Sequence, residues 1–214
     1  MALEVLDART DIRNLCITPE VRSRIMHFRA GEVSQGHTHD LGHEMFVVLD
    51  GQAEFTIAGE SAILGPGQIC VARACQWHEI RTLDDQPMTL YLSVTPHIEP
   101  THTQWDREGG TRLPYRYGGS TQAERLASGE PRESPAVLLE RHLLASAALA
   151  SSAHENAQAQ EAAAARLRHA LEAGDAAGAR AVLDEMWAAF RNFHHRLRES
   201  ERAWNELAPA AADA

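Results

Sequence analysis

The sequence is short of several things, and each shortage closes off a class of protein. No run of eighteen or more apolar residues occurs, so no segment reads as a membrane-spanning helix. Met1 to Thr10 alternates acidic and apolar residues and lacks the basic-then-apolar pattern of a secretory leader, so the expected location is the cytoplasm. There are three cysteines, Cys16, Cys70 and Cys75, and no C-x-x-C pair among them. This leaves no zinc knuckle and no thioredoxin-like motif, and fits free thiols in a reducing compartment. Cationic residues are outnumbered, 20 Lys and Arg against 30 Asp and Glu, for a formal net charge of −10. Neutralising phosphates needs clustered cations, so no nucleic-acid partner is expected. Small anionic ligands stay open, because they respond to the field of a pocket and not to net charge.

What is present divides into two grammars. A chain of 214 residues holds one good core with an appendage, or two small domains. Over 1–96 it reads as strands: Val21 to Phe28, Glu44 to Leu49, Ala53 to Ala58, Trp77 to Leu83 and Met88 to Thr95. Turn signals separate them at Asp50-Gly51, Ala58-Gly59-Glu60, Gly65-Pro66-Gly67 and Asp84-Asp85, and Asp50-Gly51 has the form of a two-residue hairpin. Residues 97–119, with Trp105, Arg112, Tyr115, Arg116 and Tyr117 among prolines and glycines, read as a linker or a lid. From 120 to 214 the pattern is helical. Thr121 to Glu124 has the form of a capping box closed by Gly129, and Ser134-Pro135 opens a long segment expected to break near Ser151-Ser152. Gly174-Asp175 is a stop and a fresh N-cap. Leu183, Phe190, Leu197 and Trp204, flanked by Met186, Phe193 and Leu207, form an apolar stripe, and the tail beyond Pro209 is expected to fray. The expected class is therefore mainly β with an α-helical C-terminal region, a helical hairpin or small bundle.

The chemistry concentrates between Gly31 and Gly51. Side chains two apart on a strand share a face, so His37 and His39 can reach one ion together. A turn at Leu41-Gly42 returns the chain so that Glu44 adds a carboxylate, and His78, opening a later strand, is placed to complete the set. Three imidazoles and one carboxylate on a divalent ion leave positions open, which suits catalysis better than structural stapling. The donor set accepts Fe²⁺, Mn²⁺, Ni²⁺, Zn²⁺ or Cu²⁺ without choosing among them. Phe46 and Val48 share the parity of Glu44 and are expected to wall the site. Met45, Val47 and Leu49 make the other face apolar too, which calls for a cover: a second barrel in a homodimer, a further strand layer, or the C-terminal helices. Tyr91 lies on a hydroxyl-bearing strand face that is either pocket-lining or solvated. Arg81, Arg112 and Arg116 are candidates for a ligand carboxylate, though solvated arginine is the commoner role for each. Parity turns His43 away from the ion. His97 and His102 sit where a loop can approach the mouth, with plain loop positions the simpler reading, and His194 and His195 are expected in solvent. Cys75 is near His78 in sequence with nothing to activate it.

These residues resemble the cupin family. Gly31, His37, His39, Glu44 and Gly51 follow its first motif without a gap, and Gly67 and His78 keep the spacing of its second. Arg73, Cys75 and Thr82 replace that motif's Pro, Gly and Asn, which touches a turn and a strand end but no ligand. The resemblance covers about residues 20 to 96. It implies a double-stranded β-helix, or jelly-roll barrel, with His37, His39, Glu44 and His78 as metal ligands, iron or manganese first. It also implies a small-molecule substrate, dimers, and Glu44 either as a ligand or as proton acceptor. The implied activity is a metal-dependent oxygenase of an enolic or phenolic chelator. A non-oxidative lyase, isomerase or decarboxylase, or a ligand sensor without turnover, are the alternatives.

Overall fold

The computed structural model describes residues 3–83, 85–106, 110–129 and 133–213. Asp84, half of one expected turn, lies outside them. Ten strands come first: β1 Asn14–Ile17, β2 Arg22–Phe28, β3 His37–Thr38, β4 His43–Asp50, β5 Ala53–Ile57, β6 Glu60–Leu64, β7 Ile69–Ala72, β8 His78–Thr82, β9 Met88–Thr95 and β10 Thr103–Gln104. Three helices follow: α1 Gln122–Ala127, α2 Pro135–Glu172 and α3 Ala176–Ala212. The chain divides into two compact units, Met1–Pro131 and Arg132–Ala214.

The first unit is a jelly-roll of two five-stranded antiparallel sheets, ordered β1-β2-β9-β4-β7 and β10-β3-β8-β5-β6. Alternation along β4 and β9, neighbours in one sheet, turns one face of that sheet inward. Phe46, Val48, Leu90, Leu92 and Val94 are buried with Phe28, Phe55, Ile80 and Met88 in one apolar cluster, while Met45 and Leu49 are exposed. Consecutive strands repeatedly cross from one sheet to the other, and this corrects the Asp50-Gly51 hairpin. β4 pairs with β7 and β9, whereas β5 pairs with β6 and β8, so Asp50-Gly51 is a corner between the sheets. Gly51 has φ +73° and a Cβ there would stand 2.0 Å from the Pro87 carbonyl oxygen, so only glycine fits. The true two-residue hairpin is Ala58-Gly59, between the paired ends Ile57 and Glu60.

The described residues of the segment 97–119, expected as a linker or a lid, lie on the barrel. The segment's β10 extends the second sheet by pairing with β3. Asp40 accepts hydrogen bonds from the Thr103 and Tyr115 hydroxyls, both at 2.7 Å, and holds the segment on the barrel. His97, Glu99, Thr101 and Thr103 are buried. Helix α1 also belongs to this unit and not to the helical half. Its expected capping box does not form: Thr121 makes no side-chain cap bond, and Glu124 accepts instead from Asn14 Nδ2 at 2.6 Å.

The second unit is an antiparallel hairpin of α2 and α3. Ser134 caps α2 through Val137, and Asp175 caps α3 through Gly178, each as its residue type dictates. The expected break at Ser151-Ser152 is absent, since α2 runs through it and the buried Ser152 hydroxyl takes a hydrogen bond from Asn192. The expected fraying is absent as well: α3 continues to Ala212 because Leu207, Ala208 and Pro209 are buried. The Leu183 stripe is rotated off the contact. Ala179, Val182, Ser200, Ala203 and Leu207 of α3 are buried with Ala163 and Ala170 of α2, while Leu183 and Phe190 are exposed. Small side chains let two helices approach closely, and that close approach selects the alanine face over the bulkier one. No described helix is long and apolar enough to cross a membrane.

Candidate metal centre

Four side chains from three strands and one loop converge inside the barrel. His37 opens β3 directly opposite His78 of β8, with ring centroids 4.4 Å apart. His39 follows the end of β3, its carbonyl held by the Cys75 N–H at 2.8 Å. Glu44, second residue of β4, faces inward between Val94 and Ala72 of the neighbouring strands. One donor atom from each of the four lies within 4.8 Å of all the others. Ligands about 2.1 Å from a common ion stand about 3.0 Å apart when adjacent and about 4.2 Å when opposite, so the spacing suits one ion.

Hydrogen bonding decides which nitrogens face that point. Nδ1 of His37 meets the Gln35 carbonyl at 2.8 Å, Nδ1 of His78 meets the Gln76 carbonyl at 2.9 Å, and Nδ1 of His39 meets the Thr101 carbonyl. A carbonyl only accepts, so each Nδ1 donates its proton and each neutral ring presents an Nε2 lone pair. Those Nε2 atoms lie 2.9 Å (His39), 2.8 Å (His78) and 3.7 Å (His37) from a single oxygen, Oε2 of Glu44. Lone pairs facing a carboxylate oxygen at such range repel one another unless a cation stands among them. Protonating the rings a second time is the other way out, and burial opposes it at His37, whose pKa is lowered below its ordinary value. His37 Nε2 is moreover buried with no hydrogen-bond partner among the described residues. Burial acts to raise the Glu44 carboxyl, and only partners that bring positive charge or a donated proton to its oxygen, such as a cation among the three rings, hold it well below the usual range. A neutral-nitrogen, anionic-oxygen donor set of this kind fits a divalent ion.

The surroundings are a mixture of expected and unexpected residues. Phe46 and Val48 are buried, and the Phe46 ring lies 5.7 Å from that of His78. Tyr91 is a correction: Leu90, Leu92 and Val94 take the inner face of β9, and Tyr91 stands on the outer one opposite Ile25 and Val47. Arg81 is another, since it is exposed, one residue out of phase with His78 and Ile80, and 3.6 Å from Glu79. Arg112 and Arg116 are exposed, with Arg112 donating to the Tyr115 hydroxyl at 2.7 Å. His43 faces outward and accepts from the Ala74 N–H.

Of the two loop histidines weighed for the mouth, His102 reaches the cluster. The His102 ring lies 4.5 Å from that of His37 and 5.0 Å from that of His39, with Nδ1 3.2 Å from the Ser120 hydroxyl. Burial holds its pKa well below the ordinary value. The β10 pairing, invisible in a two-residue strand, is what brings it there. Arg22 lies on the inner face of β2 and is buried. A cavity of about 270 Å³ next to the cluster is lined by His39, Gly42, Val94, Glu99, Thr101 and Tyr115 among others. A separate one of about 540 Å³, with Thr38, Trp77, Glu79 and Trp105, lies against the side of β3 and β8 that His37 and His78 turn away from.

Residues 24–95 match the family model described as the cupin domain. No curated protein matches the chain. Among solved structures, a double-stranded β-helix protein from Klebsiella pneumoniae is 21% identical over 45% of this chain and 90% of that one, with a TM-score of 0.42. The TT1209 protein from Thermus thermophilus is 18% identical over 44% and 98%, with a TM-score of 0.41. KdgF from a Halomonas species is 24% identical over 41% and 79%, with a TM-score of 0.37.

Proposed function

Because residues 24–95 match the cupin-domain family model and carry this four-residue cluster, we propose that the chain is a metal-dependent enzyme, an oxygenase of a small enolic or phenolic chelator. His37, His39, Glu44 and His78 hold one divalent ion, iron or manganese before nickel, zinc or copper. The ion supplies a Lewis-acidic centre with open positions for ligand oxygens. The observation that carries this reading is the convergence of three Nε2 lone pairs on one carboxylate oxygen, a pattern that repels itself without a cation.

The chain's own residues supply the rest. Backbone carbonyls of Gln35, Gln76 and Thr101 fix the tautomer and aim of each imidazole. Phe46 and Val48 keep water from the inner side and so strengthen every charge interaction there. Glu44 would either stay a ligand or accept the proton that an enol or phenol loses on binding. Outward-facing Met45 and Val71, paired across β4 and β7, are exposed, and we infer that a second copy of the chain covers them in a homodimer.

The test begins with metal content. Chain produced without added metal and then loaded anaerobically should take up one ion, and His39→Ala or Glu44→Ala should lose it. Full occupancy in His39→Ala would sink the reading. Oxygen consumption by the iron-loaded chain across a panel of enolic and phenolic compounds then tests the oxygenase assignment. Turnover in the absence of O₂ selects the non-oxidative lyase, isomerase or decarboxylase class, and ligand binding without any turnover selects a sensor.

A further inference from the structure

Arg22 is a charged residue in a place that burial makes costly. Its side chain is among the largest fully buried ones, 1% exposed, and its Nε has no hydrogen-bond partner among the described residues. It pairs with Val94 in the β2–β9 ladder, and Val94 pairs with Glu44 in the β9–β4 ladder. Directly opposed residues share a face, so Arg22, Val94 and Glu44 form one inward row across the sheet. Two strand spacings, about 10 Å, separate the backbones of the first and the last, a reach on the scale of a small bifunctional ligand. Val94, the middle of that row, and His39 both line the cavity of about 270 Å³.

We propose that Arg22 is the anion-binding residue of this site, and that the ligand carries a carboxylate on it while its other oxygens chelate the ion. The proposal rests on the metal reading above and adds the class of ligand. A buried guanidinium is retained at a cost unless an oxyanion meets it, and its planar fork suits a carboxylate. Glu44 and Glu99 oppose its charge through space. Once the ion occupies the cluster, however, its charge of +2 and those of Arg22 and Arg24 exceed those of Glu44, Glu99 and Glu124 together. The loaded interior is therefore net positive and favours an anionic ligand. Arg24, half-buried on the same face with its Nε likewise unpartnered among the described residues, adds to the same field. The exposed arginines 81, 112 and 116 have no part in it.

The probe is a set of hydroxamates with one chelating head: acetohydroxamate, and the malonyl, succinyl and glutaryl monohydroxamates, which add a carboxylate at increasing reach. Affinities are measured by calorimetry on the full metal-loaded chain, and the Co²⁺-loaded chain reports chelation through its visible spectrum. The best carboxylate homologue is expected to bind about tenfold or more tighter than acetohydroxamate, the scale of one charge-assisted fork. Arg22→Met should bring that advantage to within about twofold while acetohydroxamate affinity and metal content hold; Arg81→Met should leave it intact. Should Arg22→Met not fold, Arg22→Lys carries the comparison with a reduced advantage. No homologue outbinding acetohydroxamate in the unaltered chain, or an advantage that survives Arg22→Met, overturns the proposal alone. Failure to bind a stoichiometric ion overturns the metal reading and this proposal with it.

Discussion

Cys75 sits at φ +64°, the left-handed region, at the position where the cupin motif carries glycine. An L side chain there costs roughly 1–2 kcal/mol, and the Cys75 N–H is the group that holds the His39 carbonyl. Cys75→Gly is therefore expected to raise stability by about 1 kcal/mol, read as a shifted denaturant midpoint with an unchanged slope. His97 makes a pH prediction. Burial, with Arg22 nearby, pushes its imidazole down to about 4 from 6.5. The folded state thus declines a proton that the unfolded chain accepts. No stability is lost above pH 6.5; it falls as pH drops from about 6.5 to 4, by about 3 kcal/mol for this group, and levels off below. The lowered His37 and His102 steepen the same fall. In chelated protein His97→Gln should show a shallower loss between pH 6.5 and 4 by about one proton, and an unchanged slope would refute it. At this scale the four donors were legible because spacing and alternation are local. Arg22 was legible only in part: its parity with Phe28 is in the sequence, but which face is inner is not. The same ambiguity misplaced Tyr91 and Arg81.

Strands with strong alternation were readable as elements. β2, β4, β5 and β9 follow from β-branched and aromatic residues between turn signals. β6 was not, for four of its five residues are exposed and its pattern has no inner face to declare. β3 and β10 have two residues each, too few for periodicity. The helices show a different limit. The seven-residue spacing of Leu183, Phe190 and Leu197 marks an apolar stripe, yet Leu183 and Phe190 are exposed and the buried positions are largely alanine. Ala163→Leu should then cost about 1–3 kcal/mol by overfilling the α2–α3 contact, whereas Phe190→Ser should change stability by less than about 0.5 kcal/mol. Thermal melts of the helical signal compare the two directly, and the reverse order would restore the bulky stripe as the contact.

The whole molecule divides into two compact units, and all four candidate ligands belong to the first. The exposed Met45 and Val71, with Ile69 on the edge strand β7, lead to an expected solution mass of twice the 23.5 kDa chain by light scattering. Met45→Glu combined with Val71→Glu should return the single-chain mass, and a single-chain mass before substitution would remove the homodimer. Strand patterning, helical patterning and the His-x-His, Glu and His spacing pointed by themselves to a barrel with a candidate metal cluster followed by a helical half, because those features depend on neighbours along the chain and on the two-residue period of a strand. Only the tertiary structure decided that Asp50-Gly51 turns between sheets, that β10 pairs with β3, that the His102 ring packs beside those of His37 and His39, that Arg22 is buried on the inner sheet face, and that small residues of α2 and α3 are buried. Each of these depends on contacts between segments far apart in sequence, where sheet pairing and close packing choose among faces that local pattern leaves equivalent.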